Sequence, residues 1–432
     1  MQRAFLFLTI ILLLQACNDR SFEEPSEALS DNAYKLEQVI VLSRHNIRSP
    51  LTRFGSVLDS LTPHREMWHK WSADAGRLTL KGGVSETLMG QYFKLWLESE
   101  GFIPQDWQPT PREALFYANS LQRTVATARY FSAGFAPAAD IRVKYLPGKL
   151  NKTFLPIITT DSDAFREEAA RERKEFMQKA FSDSLSKAYP VLEEVLDYYE
   201  SEYYKAHGKP FDGDTIEFFD IKGDEARMRG MLKTALSACD ALVLQSYEEE
   251  DLCKAAFGHD IGEEGWSRIA DIVTIYQNIL FSAPIVSLNV SKEMAGEIGR
   301  ELGRRGRKFS FLCGHDSTIL SLLSAIGTEP YVLTGALERN TPISLKLVIE
   351  RRSRGDGQFV RLRLVYPSWQ QLRELPALNL QNPPKSCDLR LKGLSVNEDG
   401  YYRLSDIRKR LSDAIVAGRT AASGELPDYL KH

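Results

Sequence analysis

Residues 37–50 read EQVIVLSRHNIRSP. The first half, through Ser43, is an apolar, β-branched run of strand length, which predicts a buried strand. The second half turns abruptly to charge, with Arg44 and Arg48 on either side of His45. The C-terminal end of a buried strand is where an α/β sheet usually carries its chemistry. Two guanidiniums offer rigid donor forks that match phosphate oxygens, and a neutral imidazole between them can attack phosphorus in line. Considered alone, the cluster fits at least as well a loop that only binds an anion or caps a helix.

The segments that follow alternate between the two regular structures. Apolar residues from 79 to 100 recur at mostly helical spacing, with Thr79 placed to cap and Gly101 to terminate. Residues 114–118, ALFYA, predict a second strand, 120–131 a helix, and 141–145, IRVKY, a third short strand. Between 163 and 247 the chain is charge-rich, helical in period and without a strand of similar quality, so it predicts an inserted helical region. The α/β pattern returns with helices near 267–281 and 291–303 and with the strand KFSFLC at 308–313. Segments 343–349 and 359–366 predict an antiparallel hairpin. The expected fold is α/β, a mixed and mainly parallel sheet flanked by helices. Its core comprises residues 34–150 and 266–432, and an α-helical cap fills 151–265.

Gly314-His315-Asp316 also follows a buried-looking strand and precedes an apolar helix, so it should emerge on the same sheet edge as His45. His315 is then expected to contact phosphate. Asp316 is expected to give a proton to the leaving oxygen and later to help activate water, which implies an acid pH optimum. Arg123, just past the second strand, adds a third guanidinium. Alone, the His-Asp pair fits a helix N-cap.

Composition bounds the alternatives. A net charge of −3 over 432 residues predicts no general attraction to nucleic acid or anionic membranes, so an anionic ligand must be drawn by a local arginine pocket. Residues 1–17, MQRAFLFLTIILLLQAC, read as a secretory signal whose apolar run falls well short of the ~20 residues that cross a bilayer. LQAC resembles a lipobox, which makes Cys17 the expected acylated residue, residues 18–33 a tether, and the protein an exported one held in the bacterial envelope by its lipid anchor alone. An ordinary signal peptide is the alternative. Of the remaining cysteines, a Cys239–Cys253 bridge is favoured by its short loop, while Cys313 is expected to be a small buried side chain.

These motifs resemble those of the histidine acid phosphatases, the two-domain branch of the histidine phosphatase superfamily, whose signatures are RHGxRxP near the N-terminus and HD late in the chain. The similarity is closest to bacterial periplasmic members that hydrolyse glucose-1-phosphate, through RHNIRSPL, LTLKGGVSETLMGQYFKLWL, YANSLQRTVATARYF, CGHDSTILSLL and ERNTPI. It spans roughly residues 38–145 and 267–370 and fades in the cap. The resemblance implies a phosphoglycerate-mutase-like core and His45 as the nucleophile that becomes a phosphohistidine. It implies Asp316 as proton donor, and Arg44, Arg48, Arg123 and His315 as the phosphate pocket. It implies no metal and no cofactor. Asn46 stands where most relatives carry glycine and is expected to narrow the pocket or hold the substrate.

The expected function is hydrolysis of a small phosphomonoester, with glucose-1-phosphate first, phytate second and a broad acid phosphatase behind both. A phosphotransferase or mutase and an exported phosphate-ester-binding protein are the readings from other classes. A homodimer is the expectation for assembly. His64 and His69 are expected on the surface, His207 and His259 in solvated turns, and Trp68 and Trp71 in packing rather than stacked on a sugar.

Overall fold

Three strand ends in parallel register are what the fold delivers to the site. The computed structural model of the protein describes residues 34–52, 56–148, 151–180, 184–212 and 216–431; the expected signal, tether and Cys17 lie outside them. From Lys35 to His432 the chain forms one compact unit. Its strands are β1 (Lys35–Arg44), β2 (Ala114–Ala118), β3 (Glu217–Phe219), β4 (Arg227–Arg229), β5 (Phe309–Gly314), β6 (Lys346–Arg354), β7 (Gly357–Tyr366), β8 (Lys385–Asp388) and β9 (Tyr402–Arg403).

The main sheet runs β2-β5-β1-β6-β7-β8, with β9 also paired to β7. The expected mixed sheet is present, and its parallel part is β2, β5 and β1. The pairings from β1 through β6 and β7 to β8 and β9 are antiparallel. The continuous apolar run of β1 is explained by helices on both faces. Val39 and Val41 join a cluster with Phe93, Phe131 and Phe311, whereas Ile40 and Leu42 join one with Ile298, Ile319 and Leu411. Such double-sided burial removes the polar alternation of a half-exposed strand.

On the first face lie α1 (Leu80–Ser99) and α2 (Gln122–Phe135). Thr79 caps α1 by accepting from the Gly82 N–H at 3.1 Å, as its residue type predicts. The two helices touch backbone to backbone. A Cβ on Gly90 would sit 2.2 Å from the Phe131 carbonyl oxygen, and one on Gly134 would sit 2.0 Å from that of Thr87.

The expected helical insertion contains α3 (Asp163–Ala180), α4 (Ser186–Val195) and α5 (Met231–Glu248), and it also holds the small β3–β4 hairpin, which was not expected. Next come α6 (Gly262–Phe281), α7 (Pro284–Leu302), α8 (Asp316–Ala325) and α9 (Leu404–Thr420). The strand expected at 141–145 is reduced to a single bridge, Lys144 with Tyr117. The Cys239–Cys253 bridge is not formed, and Cys239, Cys253, Cys313 and Cys387 are free thiols. From Cys239, α5 runs on for nine residues to Glu248, a rise of roughly 13 Å, so the short sequence separation misleads. Cys313 is buried as expected.

The start of α7 shows how burial tunes stability. Ala283 has no side-chain oxygen to cap the helix, and Glu172 of α3 supplies one, accepting from the Ile285 N–H at 3.0 Å. Burial, opposed in part by that hydrogen bond, pushes the Glu172 carboxyl up to about 8. A raised carboxyl favours the folded state below its ordinary value, and the advantage is lost as pH rises toward 8. Glu172→Gln keeps an acceptor without the charge. It is expected to melt close to wild type at acid pH and several degrees higher above pH 8, as read by differential scanning calorimetry; a Tm gain independent of pH would refute this account.

Candidate active site

The site is assembled by strand register. Arg44 lies opposite Gly314 and Ala118 opposite Cys313, so β1, β5 and β2 end level. The His45 N–H donates to the Gly314 carbonyl at 3.1 Å and the Asn119 N–H to that of Cys313 at 2.9 Å. His45, His315 and Asn119 therefore leave one edge together, and the two imidazoles meet edge to face with ring centroids 5.5 Å apart.

His45 is 2% exposed. Burial first, then the charges of Arg123 and its neighbours, hold its imidazole well below the usual histidine range, so it is neutral. Its Nδ1 lies 2.9 Å from the Asn46 carbonyl oxygen. A carbonyl only accepts, so Nδ1 carries the proton and Nε2 keeps its lone pair. His315 is neutral for the same reason, burial followed by the arginines. The Asn119 amide donates to its Nε2 at 2.7 Å, and its Nδ1 lies 3.4 Å from the Arg123 guanidinium.

Each arginine is anchored by its own partners. Arg44 donates to Glu338 at 3.0 Å and to the Thr341 carbonyl, and lies 3.4 Å from Asp316. Arg48 grips Asp240 of α5 with both terminal nitrogens, at 3.0 and 2.9 Å. Arg123 reaches the Gly76 carbonyl at 3.4 Å, and burial, with the like charge of Arg48, lowers its guanidinium to about 10. Asp316 opens α8, where its Oδ1 accepts from the Ser317 N–H at 2.8 Å and its Oδ2 from the Gln277 amide at 2.6 Å.

His45, Arg48, Arg123, His315 and Asp316 line one cavity of about 470 Å³, with Glu225, Arg227, Lys233 and Asp240 lining it from the helical region and Tyr276 from α6. Arg44 backs Asp316. A wider cleft of about 800 Å³ against α3 is lined by lysines, glutamates and apolar residues with no histidine or cysteine among them, so it offers no comparable nucleophile.

Asn46 corrects an expectation. It is fully buried and does not line the cavity. Its amide donates to Glu86 at 2.8 Å and to Ser85 at 3.2 Å, while its carbonyl oxygen accepts from the Ile47 N–H. Glu86 in turn pairs with Lys346 at 2.9 Å, both fully buried, and accepts from Ser344. Asn46 thus braces the loop from beneath, since a buried charge pair holds its place only with its remaining hydrogen bonds satisfied. His64 and His69 lie in a part-exposed segment, as expected, and reach Asp197 and Glu249 at 2.7 and 2.6 Å. Trp68 is buried packing, as expected.

Sequence reasoning assigned no role to Glu338, Gln277, Asn119, Glu86 and Asp240. Glu86 left a signal: an acid on the buried stripe of α1, with Gly82 and Gly90 one turn to either side. Gly82 is required by contact, because a Cβ there would lie 2.3 Å from the Ile47 carbonyl oxygen, between His45 and Arg48. Gly82→Ala is expected to displace the loop and lower kcat/KM by roughly 10–100-fold; wild-type kinetics in a folded variant would show that the loop adjusts freely.

Known proteins fit this geometry. Residues 35–222 match the family described as histidine phosphatase superfamily (branch 2). The chain is 38% identical over 380 residues to glucose-1-phosphatase of Salmonella typhimurium, covering 86% of this chain and 90% of that protein. It is 35% identical over 404 residues to glucose-1-phosphatase of Providencia rettgeri, covering 90% and 95%. The fold is similar to that of Hafnia alvei phytase in its apo form, with a TM-score of 0.80 at 24% identity, covering 91% of this chain and 99% of that one. With two histidines and three arginines gathered where this fold and these relatives lead, the chain belongs to branch 2 of the histidine phosphatase superfamily and is a phosphomonoesterase.

Proposed function

We propose that the protein hydrolyses glucose-1-phosphate or a closely similar sugar phosphate through a phosphohistidine on His45. The observation that carries the reading is the buried His45 ring in the lining of an arginine-rich cavity, with its Nδ1 2.9 Å from the Asn46 carbonyl oxygen, a contact that leaves Nε2 to act as the nucleophile. Nε2 attacks phosphorus and forms the N–P bond as the ester P–O bond breaks, with the leaving oxygen taking the proton of Asp316. Water then attacks phosphorus, gives its proton back to Asp316 and releases inorganic phosphate and free His45. Arg48, Arg123 and His315 bind the phosphoryl oxygens from the cavity lining, and Arg44, behind Asp316, completes the phosphate pocket by offsetting the charge that gathers on them.

The sugar-phosphate choice is supported by the two glucose-1-phosphatase relatives and by a cavity in which Glu225 and Asp240 offset Arg227 and Lys233, a balance that suits one phosphate and several hydroxyls. Phytate is the second reading, favoured by the 23% identity over 411 residues to phytase AppA of Escherichia coli. In the same proposal residues 151–265 form a cap over a core of 34–150 and 266–432, and acylated Cys17 anchors an exported protein. Phosphate release at acid pH from glucose-1-phosphate, phytate and p-nitrophenyl phosphate, with EDTA present, tests the substrate. Dominant phytate hydrolysis would move the specificity to the second reading. Mass spectrometry of the mature N-terminus tests the anchor, and an unacylated start elsewhere would remove it.

A further inference from the structure

Helix α5 presents Lys233, Leu236, Ser237 and Asp240 to the cavity, the i, i+3, i+4, i+7 stripe of one helical face. Asp240 meets Arg48 through two parallel bonds, Oδ2 to Nη1 at 3.0 Å and Oδ1 to Nη2 at 2.9 Å. This is the fork geometry by which an arginine also grips a phosphate. The only other acceptor on Arg48 among the described residues is the Ser49 carbonyl, 3.2 Å from Nη1. The guanidinium is buried, whereas Asp240 keeps 21% of its side chain exposed to the cavity. The arginine is the more enclosed partner and the carboxylate the one open to the cavity.

We propose that Asp240 is an internal anion that occupies the Arg48 fork when no phosphate is bound and yields it to an incoming phosphate group. The inference rests on reading the cavity as the phosphate site, and it assigns Asp240 as a positioning residue that acts through Arg48. A phosphoryl group that takes the end-on fork of Nη1 and Nη2 displaces Asp240 from it. Lys233, two turns back on the same face, gives the displaced carboxylate a cation to approach. The energetic result is a loss of phosphate affinity by the fraction of molecules whose fork is free. The functional result is product release: after hydrolysis, Asp240 returns to Arg48 and expels inorganic phosphate.

The test is competitive inhibition of the full-length protein by inorganic phosphate at acid pH, alongside kcat and KM for glucose-1-phosphate. Asp240→Asn removes the competing charge and is expected to lower both Ki and KM about tenfold, as for a fork free about a tenth of the time, without raising kcat. Asp240→Glu restores the anion and should keep Ki within about twofold of wild type. Asp240→Ser is the second neutral variant and is expected to behave as Asp240→Asn does, should that one fail to fold. A Ki that is unchanged or higher in the neutral variants overturns the inference, since Asp240 would then be holding Arg48 in its working pose. No hydrolysis of any ester by wild type would instead overturn the reading of the site.

Discussion

His45→Ala is expected to lower phosphomonoester hydrolysis by roughly 10⁴-fold or more while leaving the fold and the phosphate pocket in place. The contact of His45 Nδ1 with the Asn46 carbonyl oxygen holds the ring proton on Nδ1 and leaves the lone pair of Nε2 for attack. His315 cannot substitute, because its Nε2 already accepts from Asn119. The folded state loses little, since the bond removed is to the neighbouring residue's own carbonyl and the arginines keep their separate anchors in Glu338, Asp240 and Gly76. Inorganic phosphate should therefore still bind the variant, and isothermal titration should show it. Retention of more than about 1% of kcat/KM would exclude a nucleophilic His45.

Asp316→Asn is expected to reduce kcat by roughly 10²–10⁴-fold on a sugar phosphate and much less on p-nitrophenyl phosphate. An alkoxide leaving group needs a proton as the P–O bond breaks, and asparagine has none to give. A nitrophenolate leaves without one, so only the later activation of water remains impaired. The asparagine oxygen can keep the bond from the Ser317 N–H, and its NH2 fits opposite Gln277 once that amide turns to present its oxygen, so the variant removes the proton with little change of shape. Equal losses on both esters would show that Asp316 positions the phosphate and is not the acid.

Both residues stood out in the sequence because they follow runs that can only be buried strands, and β1 and β5 do end level at Arg44 and Gly314. The cap at Thr79 and the strand ALFYA were equally legible, since each depends on local chemistry. The anchors were not. Glu338 lies 294 residues from Arg44, and Asp240 lies 192 from Arg48; no spacing rule links residues joined only by tertiary packing. Asn46 misled for the same reason, for its proximity to His45 suggested the pocket while its amide was committed to Glu86 on a different element. The segment 141–145 shows the converse: it has strand composition, but only Lys144 finds a partner on the β2 edge.

Three of the glycines in α1 and α2 have a consequence for redesign. Gly82 seats the helix against the catalytic loop, and Gly90 and Gly134 seat it against its neighbour, so main-chain contact locates the loop that Asn46 braces from beneath. The face of α5 that meets the cavity shares none of these contacts. Apart from Asp240, which holds Arg48, substrate preference and catalytic alignment are thereby mechanically separate, and a library randomised at 233, 236 and 237 can explore new leaving groups without unseating the nucleophile.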